Sequence, residues 1–172
     1  MFNVIKKPLL AALLLIPLAS AIAKPVPENA QLEVNFTLPA IETTMYARPY
    51  VAVWVEDANR QPVRTVQLWV GKDEWLKDLR SWWRKVGRYD RELVDAVTSA
   101  TRPAGEYKFV WDGLNDKGQP VEQGNYTFYV EVVREHGGRN YLRQKIELDE
   151  NAFSHVIAPT EETGAIQLNY KL

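Results

Sequence analysis

One short run of hydroxyl side chains in this sequence has the residue types and spacing for covalent chemistry. A threonine hydroxyl is a weak nucleophile and reacts only when a base or a metal ion activates it. An acceptor of this kind must be exposed, with small neighbours, so that an activating enzyme can close around it. The stretch DAVTSAT (95–101) offers such a setting with Asp95, Thr98, Ser99, Ala100 and Thr101.

This stretch resembles the flavinylation motif of proteins that carry covalent FMN, such as the flavin subunits of sodium-pumping NADH:quinone oxidoreductases. The resemblance implies that an FAD:protein FMN transferase joins the phosphate of FMN to Thr101 as a phosphodiester. It also implies that Asp95, Thr98 and Ala100 form the strip that the transferase recognises. Ser99 departs from the pattern, because glycine is commonest at this position and serine is poorer at positive φ.

A tethered flavin would need side chains that shelter its ring. Aromatic residues can do this by stacking, and we expect Trp82, Trp83 and Tyr89 to be candidates. His136 is a further possible contact, with Arg139 beside it. The alternative interpretation is that Asp95–Thr101 is a helix end with polar caps, and that the tryptophans form a helix face in the core.

The elements that must position these residues are mostly strands. Short β-branched and aromatic runs are separated by turn-rich segments such as HGGRN. About seven such strands predict an all-β fold, an immunoglobulin-like antiparallel β-sandwich. In the predicted strand 50–57, Val51, Val53 and Val55 form a buried face, and the residues between them form a face of mixed polarity. The predicted strands are 32–38, 50–57, 62–71, 107–113, 125–135, 141–148 and 164–172.

A helical insertion interrupts the strands at about 73–98 and leads into Thr98–Thr101, so that the insert spans 73–101. Trp75, Leu79, Trp82, Trp83 and Val86 recur at helical spacing. Inserts of this length in compact domains are usually functional.

The segment EYKFVWDGLNDKGQPVEQGNYTFYVEVVREHGG resembles the immunoglobulin-like domain of the flagellar hook-capping protein. This resemblance implies fold and not function. Most of 30–172, including RPYVAVW and REHGG, is similar to a family of exported bacterial proteins without an assigned function. Members often accompany transmembrane redox proteins and flavin transferases.

The N-terminus predicts export. Residues 1–23 combine Lys6 and Lys7, an apolar stretch and an Ala-x-Ala ending, which is typical of a secretory signal cleaved after Ala23. We expect a periplasmic protein made of one domain, 24–172, with no membrane span in the mature chain. Loss of the two lysines lowers the net charge from −1 to about −3, which argues against nucleic acid as a partner.

The remaining chemistry is limited. The chain has no cysteine, so thiolate metal sites are excluded. A metal or haem site on His136 and His155 is a minor alternative, and we expect no metal. No nucleophile–base set is visible, so a hydrolase is not expected.

We therefore expect an exported flavoprotein with FMN on Thr101. It would relay electrons between a membrane-bound redox protein and an extracytoplasmic acceptor, as a carrier more than as an enzyme with its own substrate. The alternative is a cofactor-free periplasmic binding or structural module, whose tryptophan-rich insert contacts a protein or a glycan.

Overall fold

The computed structural model describes residues 24–172, which form two β-sheets packed face to face. The predicted signal sequence, 1–23, lies outside the described residues. A 3₁₀ helix (Asp73–Asp78), helix α1 (Arg80–Trp82), a π-helical turn (Trp83–Gly87) and helix α2 (Arg91–Val97) follow one another between the third and fourth strands. The strands are β1 (Gln31–Leu38), β2 (Tyr50–Asp57), β3 (Pro62–Trp69), β4 (Thr98–Ser99), β5 (Gly105–Trp111), β6 (Gly124–Val133), β7 (Arg139–Leu148), β8 (Phe153–Ile157) and β9 (Ile166–Lys171).

One sheet has four strands in the order β5-β1-β9-β8, and the other has five in the order β4-β3-β2-β6-β7. All pairings are antiparallel except that of β3 with β4. The all-β sandwich is confirmed, but the predicted number of strands is wrong, since residues 24–172 form nine strands. The two additional strands, β4 and β8, lie in segments that the sequence assigned to the insert and to a connection.

Two cores result from this arrangement. The first lies between the sheets and takes Val51, Val53 and Val55 from β2. The second lies between the outer face of the five-stranded sheet and the helical segments 73–97, here called the helical insert, and takes Ala52 and Trp54 from the same strand. Both faces of β2 are therefore buried. The alternation of side chains had predicted one buried face and one mixed face. The helical insert covers the outer face of β2 and removes it from water. Burial of this apolar surface stabilises the insert on the sheet.

A buried carboxylate fixes the helical insert to the sheet. Glu131 in β6 is 0% exposed. It accepts hydrogen bonds from the backbone N–H groups of Ser81 at 3.0 Å and Trp82 at 3.0 Å. The Nε of Arg139 donates to the other carboxylate oxygen at 2.8 Å. The carboxylate thus satisfies free N–H groups at the start of α1, and these donors compensate its buried charge.

A second buried ion pair joins the β6–β7 turn to the β8–β9 loop. Arg134 donates from Nε and Nη2 to the carboxylate of Glu162, at 2.8 and 3.0 Å. The backbone N–H of Gly138 donates to the same carboxylate at 2.6 Å. A Cβ on Gly137 would lie 2.3 Å from Cζ of Arg134, so the turn can cover the guanidinium only with glycine there.

Candidate functional site

The three hydroxyls of the motif lie where the helical insert returns to the sheet. Helix α2 ends at Val97, and Thr98 and Ser99 then pair with the end of β3. The hydroxyl of Thr98 donates to the carbonyl of Val94 at 2.6 Å. That of Ser99 donates to the carbonyl of Leu68 at 3.3 Å. Both hydroxyls therefore have structural partners.

Thr101 differs from its two neighbours. Its side chain is partly exposed, and its hydroxyl has no hydrogen-bond partner among residues 24–172. It lies in the link 100–104, which carries the chain from the five-stranded sheet to the four-stranded sheet. Of the hydroxyls in the motif, that of Thr101 is the one left available for reaction.

Both ends of this link are held in place. On one side, the backbone N–H of Val70 donates to the carbonyl of Ser99 at 2.9 Å. On the other side, the phenol of Tyr107 donates to the carbonyl of Pro103 at 2.6 Å. Thr101 is therefore presented between two fixed points, with exposed Ala100 and Ala104 as small neighbours.

Aromatic and charged side chains lie beside the link. The ring of Trp69 meets that of Tyr107 edge to face, with centroids 5.1 Å apart. The guanidinium carbon of Arg102 lies 5.9 Å from the centroid of the Trp69 ring. Trp69 is 3% exposed, whereas Tyr107 is partly exposed. The sequence did not single out these three residues, because the contact between Trp69 and the link depends on the pairing of β3 with β4.

Asp95 lies one helical turn before Thr98, on the exposed side of α2. Its carboxylate pairs with Arg91 at 2.8 Å, and Arg91 also pairs with Asp73. Hydrogen bonds to Asp73 first, and then to Asp95, raise the pKa of the Arg91 guanidinium. Because all three groups are exposed, an approaching protein can replace these pairs at little cost.

Ser99 does not need the backbone conformation that glycine favours. Within residues 24–172, the residues other than glycine with positive φ are Arg60 and His136. Ser99 is extended and pairs with Trp69 in β3. The serine is thus compatible with the conformation that the motif adopts in this structure.

The proposed contacts to a ring occupy different environments. Trp82 is 0% exposed, and its indole Nε1 donates to the hydroxyl of Thr65 at 3.2 Å. It therefore belongs to the core beneath the helical insert and presents no exposed face to a ligand. Trp83 is partly exposed. Trp75 stacks on Tyr50, with ring centroids 6.3 Å apart.

Tyr89 and His136 lie at opposite ends of the sandwich. Tyr89 is 69% exposed and lines a groove with Asp57 and Pro62, at the start of β3. The link that carries Thr101 lies at the other end of that strand. His136 lies on the β6–β7 turn, with φ 57°, at the same end as Thr101. Three interstrand spacings, roughly 14 Å in total, separate β4 from β6.

The two histidines do not form a common site. His136 lies on the turn after β6 and His155 lies in β8, so the two histidines belong to different sheets. Residues 24–172 contain no group of three or more His, Cys, Asp or Glu side chains that could hold a metal ion. In the same part of the chain, no helix is long and apolar enough to cross a membrane.

Comparisons with known proteins identify a family. Residues 31–165 match the family model described as "Predicted periplasmic protein (DUF2271)". The comparisons with curated proteins and with solved structures give no significant match. The family match spans most of the sandwich, the helical insert and the link with Thr101. The chain belongs to this family of predicted periplasmic proteins, and its location is the periplasm.

Proposed function

We propose that this protein carries covalent FMN on Thr101 and relays electrons in the periplasm. The observation that supports the proposal is the difference among the three hydroxyls of the motif. Those of Thr98 and Ser99 are bonded to main-chain carbonyls, whereas that of Thr101 has no partner among the described residues and is partly exposed. The motif thus leaves one hydroxyl free, at the position to which its resemblance assigns the flavin.

The attachment reaction is a phosphoryl transfer without a redox change. The Oγ1 of Thr101 attacks the phosphorus on the FMN side of FAD, the pyrophosphate P–O bond breaks, and AMP leaves. The hydroxyl proton passes to a base on the FAD:protein FMN transferase. A threonine hydroxyl needs such a base, and we assign this role to the transferase.

The residues around Thr101 are suited to recognition by that transferase. Asp95 is exposed, and its pair with Arg91 contributes little to stability. Thr98 and Ser99 hold the motif against β3, while Ala100 leaves room for the wall of an enzyme pocket. The link can therefore be reached without unfolding of the sheet.

The residues beside the link can also hold the group after attachment. When bound, FMN supplies one- and two-electron redox chemistry. Arg102 offers a positive charge next to the phosphodiester, and partly exposed Tyr107 offers a surface for stacking. His136 lies at the same end of the sandwich and is a candidate contact for an extended group. Because Trp82 is buried and Tyr89 lies at the other end, we assign neither of them a flavin contact.

The position of the link suits a carrier. It lies at one end of the sandwich and connects the edge strands of both sheets, β4 and β5. A group attached there can contact a membrane-bound redox protein and an extracytoplasmic acceptor in turn. Covalent attachment prevents the loss of a small cofactor outside the cytoplasm.

We also infer that the sandwich is immunoglobulin-like. In immunoglobulin domains strand B pairs with E, C with F, and F with G, and C′ extends the second sheet. The pairings of β1 with β5, of β2 with β6, of β6 with β7 and of β2 with β3 correspond to these. The departure is at the C-terminus, where β9 and β8 extend the first sheet beyond β1.

The alternative function, a cofactor-free binding module, receives less support. It depends on exposed tryptophans in the helical insert. Trp82 is fully buried and Trp75 stacks on Tyr50, so their rings serve packing. Trp75 and Trp83 are both partly exposed, but both pack against the core beneath the helical insert.

Production with and without an active transferase tests the proposal. We expect the intact mass of the exported wild-type protein to rise by about 440 Da, which is FMN less one water. Thr101→Ala should remain unmodified, whereas Thr101→Ser should be modified because it keeps a hydroxyl. Ser99→Ala is the matched control and should be modified. An unmodified wild-type protein, beside a known acceptor that the same transferase modifies, would refute the proposal.

A further inference from the structure

We propose that the helical insert and the β6–β7 turn form an anion site, which binds a carboxylate- or phosphate-bearing ligand. The site combines a groove of about 450 Å³ with a neighbouring hollow of about 220 Å³. Arg80 and Arg139 line both parts. We call it the basic groove, and the residues that define it are Lys77, Arg80, Trp83, Arg84, Arg134 and Arg139.

The basic groove has an excess of positive charge. Arg134 and Arg139 are compensated by buried Glu162 and Glu131. Lys77, Arg80 and Arg84 form no ion pair with any residue in 24–172. Asp78 is the one carboxylate that lines the hollow, and none lines the groove, where Lys77, Arg80 and Arg84 lie. This excess arises in a chain whose net charge is negative, and it therefore marks a local feature of the surface.

A second observation concerns Arg134, which lines the hollow. Arg134 is 9% exposed, and its Nε and Nη2 are bonded to Glu162. Its Nη1 is buried and has no hydrogen-bond partner among the described residues. A buried N–H without a partner is costly, and native proteins rarely leave one unsatisfied. The Arg134 guanidinium therefore keeps one N–H₂ group that Glu162 does not use.

The shape of the hollow is set by two glycines. A Cβ on Gly137 would lie 2.5 Å from Nη2 of Arg134, and a Cβ on Gly138 would lie 2.8 Å from Oε1 of Glu162. The turn therefore passes so close to the ion pair that a side chain at either glycine would collide with it. Guanidinium groups suit planar and tetrahedral oxyanions, because their N–H groups form parallel hydrogen bonds. Trp83 supplies an apolar wall.

The ligand chemistry can come from two sources, a free oxyanion or an acidic segment of a partner protein. Titration with inorganic phosphate and with a hexaglutamate peptide distinguishes them. Backbone amide shifts of Gly137, Gly138 and Arg139, and the indole shift of Trp83, report binding. The site does not depend on the flavin, so the titration uses the Thr101→Ala protein, and its outcome is separate from that of the flavin proposal.

We expect saturable shifts at these positions at low ionic strength. The triple variant Lys77→Gln/Arg80→Gln/Arg84→Gln should bind the better probe at least about tenfold more weakly, because its unpaired charges are removed. The control Lys117→Gln/Lys145→Gln changes exposed lysines elsewhere and should bind like the wild-type protein. Phosphate binding as tight as that of hexaglutamate identifies a free oxyanion. Hexaglutamate binding about tenfold tighter identifies an acidic segment of a partner.

Two results would overturn the proposal. One is the absence of saturable shifts with both probes. The other is equal weakening in the triple variant and in the control, since general attraction to the protein surface would then explain the binding.

Discussion

Glu131 offers a quantitative test of how the helical insert is held. Glu131→Gln keeps the size of the side chain and keeps one oxygen to accept from the N–H groups of Ser81 and Trp82. It replaces the other oxygen, which accepts from Arg139, with an N–H₂ group. The guanidinium then faces a donor and must turn to water, which it can reach because its side chain is 35% exposed.

The expected loss follows from these contacts. Removal of one partner of a buried ion pair costs about 3–5 kcal/mol, and the access of Arg139 to water places this case near or below the lower limit. We expect the free energy of unfolding to fall by about 2–3 kcal/mol, which corresponds to a Tm lower by roughly 5–10 °C for a domain of this size. Urea titration followed by far-UV circular dichroism measures the loss.

The matched control is Glu33→Gln. Glu33 pairs with Lys108 and Lys171 on the surface of the other sheet, where both lysines are more than half exposed. Its removal should cost much less than that of Glu131, because exposed ion pairs contribute little to stability. If Glu131→Gln were as mild as this control, the carboxylate would not anchor the helical insert, and the reasoning would be wrong.

Two further substitutions test other contacts. Gly137→Ala should lower the Tm, because its Cβ would lie 2.3 Å from Cζ of Arg134, whereas Gly71→Ala has nothing within 4 Å and should be neutral. Equal melting temperatures for these two variants would contradict the close packing. Burial raises the pKa of Asp116, against the hydrogen bond from the Thr65 N–H, so the folded state favours the protonated carboxyl. The stability that this group contributes is present at low pH and is lost as the pH rises through its folded pKa. Asp116→Asn should therefore raise the Tm at about pH 7, with a gain that shrinks towards about pH 3, and a gain that grew on acidification would refute this.

The strands that the sequence predicts well are those with strong local patterns. β2 was predicted with the bounds that the structure shows, because Tyr50–Asp57 is dense in β-branched and aromatic residues. β4 could not be predicted, because it has two residues and exists through its pairing with β3. β8 lies among turn residues, and its strand character comes from β9, which follows it across a loop. Pairings of this kind leave no signal in the local pattern.

The candidate site shows the same limit. The spacing of Asp95, Thr98 and Thr101 is visible in the sequence, but the hydrogen bonds that separate Thr101 from its neighbours are not. Helical periodicity grouped Trp82 and Trp83, yet their burial differs because the sheet covers one of them. The buried partner of Arg134 lies 28 residues away along the chain, and no local rule connects the two.

The central claim is that Thr101 carries the flavin, and a site-resolved mass measurement tests it most directly. Trypsin cleaves after Arg91 and Lys108, and Pro103 protects Arg102, so one peptide contains all three hydroxyls of the motif. Tandem mass spectrometry of this peptide, from protein produced with an active transferase, locates the added mass. The account predicts an addition of about 440 Da on Thr101, with Thr98 and Ser99 unmodified. Modification of Thr98 or Ser99 instead, or an unmodified peptide beside a modified known acceptor, would contradict it.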